Sequence, residues 1–147
     1  MAEYHLAQLN IARMKFPLEA SGMADFVARL DEINALADAA PGFVWRLQTE
    51  DGDATGIDDF GSDILVNMSV WRDIESLREF AFRSAHRQVL SRRGEWFESM
   101  GKAYAVLWWI PAGHIPTLKE ARERLDFLRR DSPGPQAFTF RQSFDPA

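Results

Sequence analysis

From Tyr4 to Ile11 the residues alternate between two sides. His5, Ala7, Leu9 and Ile11 fall on one side, and Leu6, Gln8 and Asn10 on the other. A period of two predicts a strand. After Pro17 the spacing changes to threes and fours. Ser21 is placed to cap a helix with Met23, Phe26, Val27, Leu30, Ile33 and Ala37 along one stripe, and Pro41-Gly42 stops it. Phe43 to Gln48 returns to alternation, with Phe43, Trp45 and Leu47 facing away from Val44, Arg46 and Gln48. The acidic, glycine-bearing stretch from Glu50 to Asp63 reads as a loop.

Ile64 to Trp71 is rich in β-branched and apolar residues and predicts a third strand. Its Ile64, Val66, Met68 and Val70 side is wholly apolar, while the Leu65, Asn67, Ser69 and Trp71 side is mixed. Asp73 is placed to cap a second helix that buries Ile74, Leu77, Phe80 and Ala81. A further helical turn runs through Ser84, His86, Val89 and Leu90. Arg92 to Gly101 carries no clear period. Ala103 to Ile110 predicts the fourth strand. Thr117-Leu118-Lys119-Glu120 has the form of a capping box and opens a third helix to about Arg130, buried along Leu118, Ala121, Leu125 and Leu128. Pro133-Gly134-Pro135 breaks it, and Ala137 to Phe140 suits a short edge strand.

The order β-α-β-β-α-β, with one helix and a short strand added, predicts a single α+β domain over 1–147 with its core at about 4–140. Right-handed crossovers in that order build a ferredoxin-like antiparallel sheet with helices on one face. The other face would be bare and apolar, and the same face of a second copy is the simplest cover. A homodimer is therefore expected. In Trp108-Trp109, adjacent strand positions point to opposite faces, so one indole is expected in the core and the other at that interface.

Composition narrows the function. Apolar residues make up 46% of the chain, enough for one sizeable core, and five Trp and eleven Phe suit an aromatic-lined pocket or interface. The net charge of −5 supplies no phosphate-neutralising surface, so nucleic acid is not an expected partner. The cluster Arg83, Arg87, Arg92 and Arg93 reads as a solvated face. The absence of cysteine excludes disulfides, thiolate nucleophiles and Cys-ligated zinc. No apolar run approaches the ~20 residues that cross a bilayer, and Met1 to Leu9 has no leader-like pattern; a cytoplasmic protein is expected.

Several stretches together resemble a family of bacterial proteins of unknown function, DUF3291. They are Leu6-Ala7-Gln8-Leu9-Asn10, then Pro41-Gly42-Phe43-Val44-Trp45-Arg46-Leu47, and Arg93-Gly94-Glu95-Trp96-Phe97. The strongest is Leu107-Trp108-Trp109-Ile110-Pro111-Ala112-Gly113-His114-Ile115-Pro116-Thr117 with Glu120-Ala121, and Ala137-Phe138-Thr139-Phe140 closes the match. The resemblance implies a dimeric α+β barrel, akin to antibiotic-biosynthesis-type monooxygenases and haem-degrading enzymes. The haem degraders use a strand Asn, a helix Trp and a helix His. Asn10 and His86 stand in similar places and are the candidate catalytic pair. Phe80 stands where the Trp would be and disfavours haem, so no tightly bound cofactor is expected.

The cofactor-independent oxygenases of that group work in pockets lined by Asn, Trp, Tyr and Arg. Here Arg46, Asn67, Trp71, Phe80 and Tyr104 are the candidate substrate-binding residues. The chemistry needs an apolar cavity that excludes water and a few amide or guanidinium donors for a developing oxyanion. Other motifs carry less. Asp51-Gly52-Asp53-Ala54-Thr55-Gly56 has oxygen ligands in EF-hand spacing, but Ser62 stands where a bidentate Glu is required. His114, before Pro116 and a helix start, suits closing a turn, and no metal site is expected. Glu95 and Glu98 suit pairing with Arg92 or Lys102. The expected function is a monooxygenase-like enzyme or binder of a small aromatic or apolar molecule; the alternative is a non-catalytic ligand-binding or interaction protein. A void beside Asn10 would favour the first, and a space filled by Phe80, Trp96 and Phe97 the second.

Overall fold

The computed structural model describes residues 3–17, 19–47, 64–83, 92–98, 104–131 and 133–146. The strands among them are β1 (Tyr4–Met14), β2 (Phe43–Arg46), β3 (Ile64–Trp71), β4 (Phe97–Glu98) and β5 (Ala105–Pro111). The helices are α1 (Ala24–Ala39, entered through a 3-10 turn at Ser21–Met23), α2 (Ile74–Arg83), α3 (Arg93–Trp96) and α4 (Leu118–Asp131). The strands form one antiparallel sheet with β1 central. β3 pairs along one edge of β1, placing Leu6 opposite Trp71 and Asn10 opposite Asn67, and β2 lies outside β3. On the other edge of β1, β5 pairs with residues 4–10 and β4 with Arg13 and Met14. The order β5-β1-β3-β2 is the one that two βαβ crossovers produce. The fold is the ferredoxin-like α+β sheet expected from the sequence.

Register divides the side chains into two faces. Leu6, Gln8, Asn10 and Ala12 share a face with Trp71, Ser69, Asn67 and Leu65, and with Trp109, Leu107 and Ala105. At one end of this face Leu6, Trp71 and Leu107 pack with Leu77, Ile74 and Phe80 of α2. At the other, Ala12 and Leu65 pack with Met23, Phe26, Leu30, Trp96 and Phe97. The opposite face carries Ala7, Leu9, Ile11, Val66, Met68, Val70, Val106, Trp108 and Ile110, packed with Ala121, Leu125 and Leu128 of α4.

That second face is not bare. Ala7, Leu9, Val106 and Trp108 are fully buried within a single chain. The helix added after β5 closes the surface expected to mate two copies, so the fold does not require a homodimer through it. The two Trp do point to opposite faces. The Trp108 indole N–H donates to Glu120 Oε2 of α4 at 2.8 Å, and that of Trp109 to the Phe144 carbonyl at 2.7 Å. Both find their partners in this chain.

Local chemistry explains most boundaries. Asp73 caps α2 as expected: its Oδ1 accepts the Ser76 backbone N–H at 2.8 Å and the Ser76 hydroxyl at 2.7 Å. Gly42 sits at φ 83°, in left-handed space that ends α1 sharply, and a Cβ there would collide with Ser76. Ser21 does not cap α1, because the chain enters through the 3-10 turn with no side-chain cap. Val27, expected inside, is 40% exposed; Met23, Phe26 and Ala37 carry the buried stripe. The capping box is half made. Glu120 N–H donates to Thr117 Oγ1 at 3.1 Å, but the Glu120 carboxylate is engaged by Trp108 and by His114 Nε2 at 2.7 Å. The expected edge strand is reduced to two isolated bridges: Phe138 and Leu107 exchange two 2.8 Å bonds, and Ala137 closes a turn back onto Gly134.

Candidate functional site

In the middle of the side of the sheet that faces α1 and α2, between its two apolar clusters, lies a row of polar side chains. Gln8 on β1 stands opposite Ser69 on β3, and Asn10 opposite Asn67, so four short polar groups meet across one strand pair. Gln8 Nε2 donates to Asn67 Oδ1 at 2.6 Å and to Ser69 Oγ at 2.8 Å. Asn10 Nδ2 lies 3.2 Å from Gln8 Oε1 and 3.4 Å from Asn67 Oδ1. Ser69 Oγ also accepts the indole N–H of Trp71 at 2.8 Å. Gln8 and Ser69 are the buried polar side chains of the described residues. The row therefore runs from the buried Trp71 outward to Asn67, which is exposed.

Such a row is held together because its members satisfy one another; a buried donor left without a partner costs about 1–3 kcal/mol. Its apolar flank is aromatic. Phe80 of α2 stacks on Trp71 with centroids 5.2 Å apart and planes 27° apart, and Phe43 meets the same indole edge-on at 5.5 Å.

The predicted residues divide. Asn10, Asn67, Trp71 and Phe80 are brought together on this face. Arg46 stands opposite Ser69 in register, but its guanidinium is tied to Asp38 of α1 at 2.8 and 3.3 Å. Tyr104 is not part of the row. It lies one position out of step with Ala105, the register partner of Asn10, and its ring carries the guanidinium of Arg93 at 4.3 Å. His86 lies outside the described residues, as does the acidic loop with EF-hand spacing. Gln8 and Ser69 complete the row and were not singled out in the sequence. Their signal was present: each lies two residues from a chosen Asn on the same face of its strand.

Phe80 also lines a groove of about 600 Å³, with Leu36, Ala39, Ala40 and Pro41 on one wall and Asp73, Ser76 and Glu79 on the other. The groove lies between the end of α1 and the start of α2, away from Asn10. Its Asp73 and Ser76 are bonded to each other, and its remaining polar lining groups are the carboxylates of Glu75 and Glu79. At the far end of the sheet Phe26, Trp96 and Phe97 fill the layer, and Arg92 joins Asp25, Glu95 and the Trp96 ring. Among the described residues no three His, Asp or Glu side chains gather where they would hold a metal ion, and no helix is long and apolar enough to cross a membrane.

The family model described as "Domain of unknown function (DUF3291)" matches residues 5–147. No curated protein matches the chain. Among solved structures, it is similar to the NE2512 protein of unknown function from Nitrosomonas europaea. The identity is 15%, the match covers 80% of this chain and 99% of that one, and the TM-score is 0.48. It is similar also to PA3566 from Pseudomonas aeruginosa (15% identity, 79% and 99% covered, TM-score 0.47). A third is SnoaB, a cofactor-independent oxygenase from Streptomyces nogalater (16% identity, 78% and 96% covered, TM-score 0.42). With the family match spanning all but the first four residues, the chain belongs to the DUF3291 family.

Proposed function

We propose that the protein binds a small aromatic or largely apolar molecule on the side of its sheet that faces α1 and α2. In this reading it acts there as a monooxygenase-like enzyme without a tightly bound cofactor. The observation that carries the reading is the hydrogen-bonded row Gln8–Asn10–Asn67–Ser69, set between apolar clusters and open at Asn67. Amide groups held by one another need little reorganisation when charge develops on a nearby phenol oxygen, and a bound aromatic ligand would itself cover the open end of the row at Asn67. The row's part is to hold the substrate oxygen as the electron-rich ring reduces dioxygen: one oxygen atom enters the ring to give a quinone, and the other leaves as water with the phenol O–H and ring C–H hydrogens.

A second reading, binding without turnover, is favoured by a different observation. Phe80 stacks against Trp71, and Trp96 and Phe97 are buried against Phe26, so aromatic side chains already fill both ends of the layer. Oxygen uptake with a panel of phenols and hydroquinones, on protein freed of metal and flavin, separates the two. The enzyme reading expects turnover that falls on the order of 10²–10³-fold in Asn67→Ala. Binding without uptake leaves the second reading, and a panel that neither binds nor reacts removes both.

A further inference from the structure

Resting on that binding site, the hydrogen-bond pattern of the row says what kind of ligand edge it takes. Asn67 Oδ1 accepts from both Gln8 and Asn10, so its amino group has no described partner; Asn10 uses its amino group on Gln8 and Asn67, so its carbonyl has none. Exchanging oxygen and nitrogen in all three amides at once reverses each bond and leaves every one made. The Ser69 hydroxyl then donates to Gln8 while still accepting from Trp71. In that arrangement Asn67 offers its carbonyl and Asn10 its amino group.

The two arrangements differ in direction and agree in outcome. Each leaves, on neighbouring strands, one amide NH2 group and one amide C=O without a partner among the described residues. Mixed arrangements place two donors or two acceptors face to face and are excluded. The row is therefore a donor–acceptor pair whose polarity can reverse as a unit.

We infer that this site recognises a planar, largely apolar ligand carrying both a hydrogen-bond donor and a hydrogen-bond acceptor, as a lactam does. A single acceptor satisfies half of the pair and leaves the other amide group unmet under the ligand. Sites built to bond a polar group discriminate strongly against analogues that lack it.

The test uses three probes of nearly one shape: quinolin-2(1H)-one, which has the N–H and C=O side by side; its N-methyl derivative, which lacks the donor; and naphthalene, which lacks both. Binding is followed by the side-chain amide signals of Gln8, Asn10 and Asn67 in ¹⁵N-labelled full-length protein. The lactam is expected to shift all three together and to bind at least about tenfold more tightly than the N-methyl compound. Asn67→Leu and Asn10→Leu should each remove that preference while keeping naphthalene binding, which also reports that the variants are folded. Equal affinity for all three probes, with the amide signals moving, would overturn the inference and leave the site standing. Binding that moves none of the three signals, or no binding of any probe, would overturn the inference and the proposed site together.

Discussion

Ser69 shows how one hydroxyl can decide the state of its neighbours. It receives the indole N–H of Trp71, a donor with no acceptor capacity on a side chain only 1% exposed, and it also bonds Gln8. Ser69→Ala removes both bonds and creates almost no cavity. The expected loss is about 1–3 kcal/mol, dominated by the unmet indole N–H, and urea denaturation measures it. A variant as stable as wild type would show that Trp71 finds another acceptor and that the row is not tied to it. Asn67, at the open end, belongs to the opposite regime. Its amide is exposed, so its replacement should change ligand binding far more than stability.

For the elements, caps and turns matter more than periodicity. The Asp73 carboxyl at the start of α2 is held below its ordinary value, first by the Ser76 hydroxyl and then by the Ser76 backbone N–H. Arg72 adds to these and partial burial opposes them. A lowered folded-state pKa means stability that is present above the unfolded pKa and lost as pH falls through the folded one. Asp73→Ala should therefore cost about 1 kcal/mol near neutrality. The difference from wild type should shrink as the pH drops below the usual carboxylate range, which thermal unfolding over a pH series would show. A gap that stays constant down to the acid limit would mean that the charge of Asp73 contributes nothing to the cap. The same turn explains Gly42: α1 can end directly against α2 only where no Cβ intervenes.

In the whole molecule the decisive feature is that α4 covers the second face of the sheet. Leu125 is 1% exposed and packs in the cluster formed by Ala7, Leu9, Val106 and Trp108. Leu125→Ala should cost roughly 2–5 kcal/mol, the range for emptying a well-packed leucine site. Chemical denaturation reads it directly. A loss under 1 kcal/mol would mean that α4 is a loose cover and would revive the expectation of a second copy on that face. The clasp of Glu120 between Trp108 and His114 fixes where α4 starts, so the run from Trp108 to Glu120 reads as one device for laying a helix back over its own strand.

Local chemistry written into the chain was enough for the order of β1, α1, β2, β3, α2, β5 and α4, the exact span of β3, the stop at Gly42 and the cap at Asp73, because each depends on residues close in sequence; α3 and β4, in the stretch without a clear period, were not legible there. The period of two also sorted Asn10, and separately Asn67 and Trp71, onto single faces of their strands. What remained undetermined was relative placement. That Gln8 stands opposite Ser69, that Tyr104 falls out of step with Asn10, and that Arg46 is taken by Asp38 depend on register and on helix docking, which no local pattern encodes. The Ser21 cap and the full capping box failed for a similar reason: a 3-10 turn and a distant indole competed for the same groups. The bare face of the sheet vanished because α4 is amphipathic in sequence whichever surface it covers. Only packing decides that it covers this one, since burying its leucine stripe on Trp108 removes more apolar surface from water than leaving both exposed.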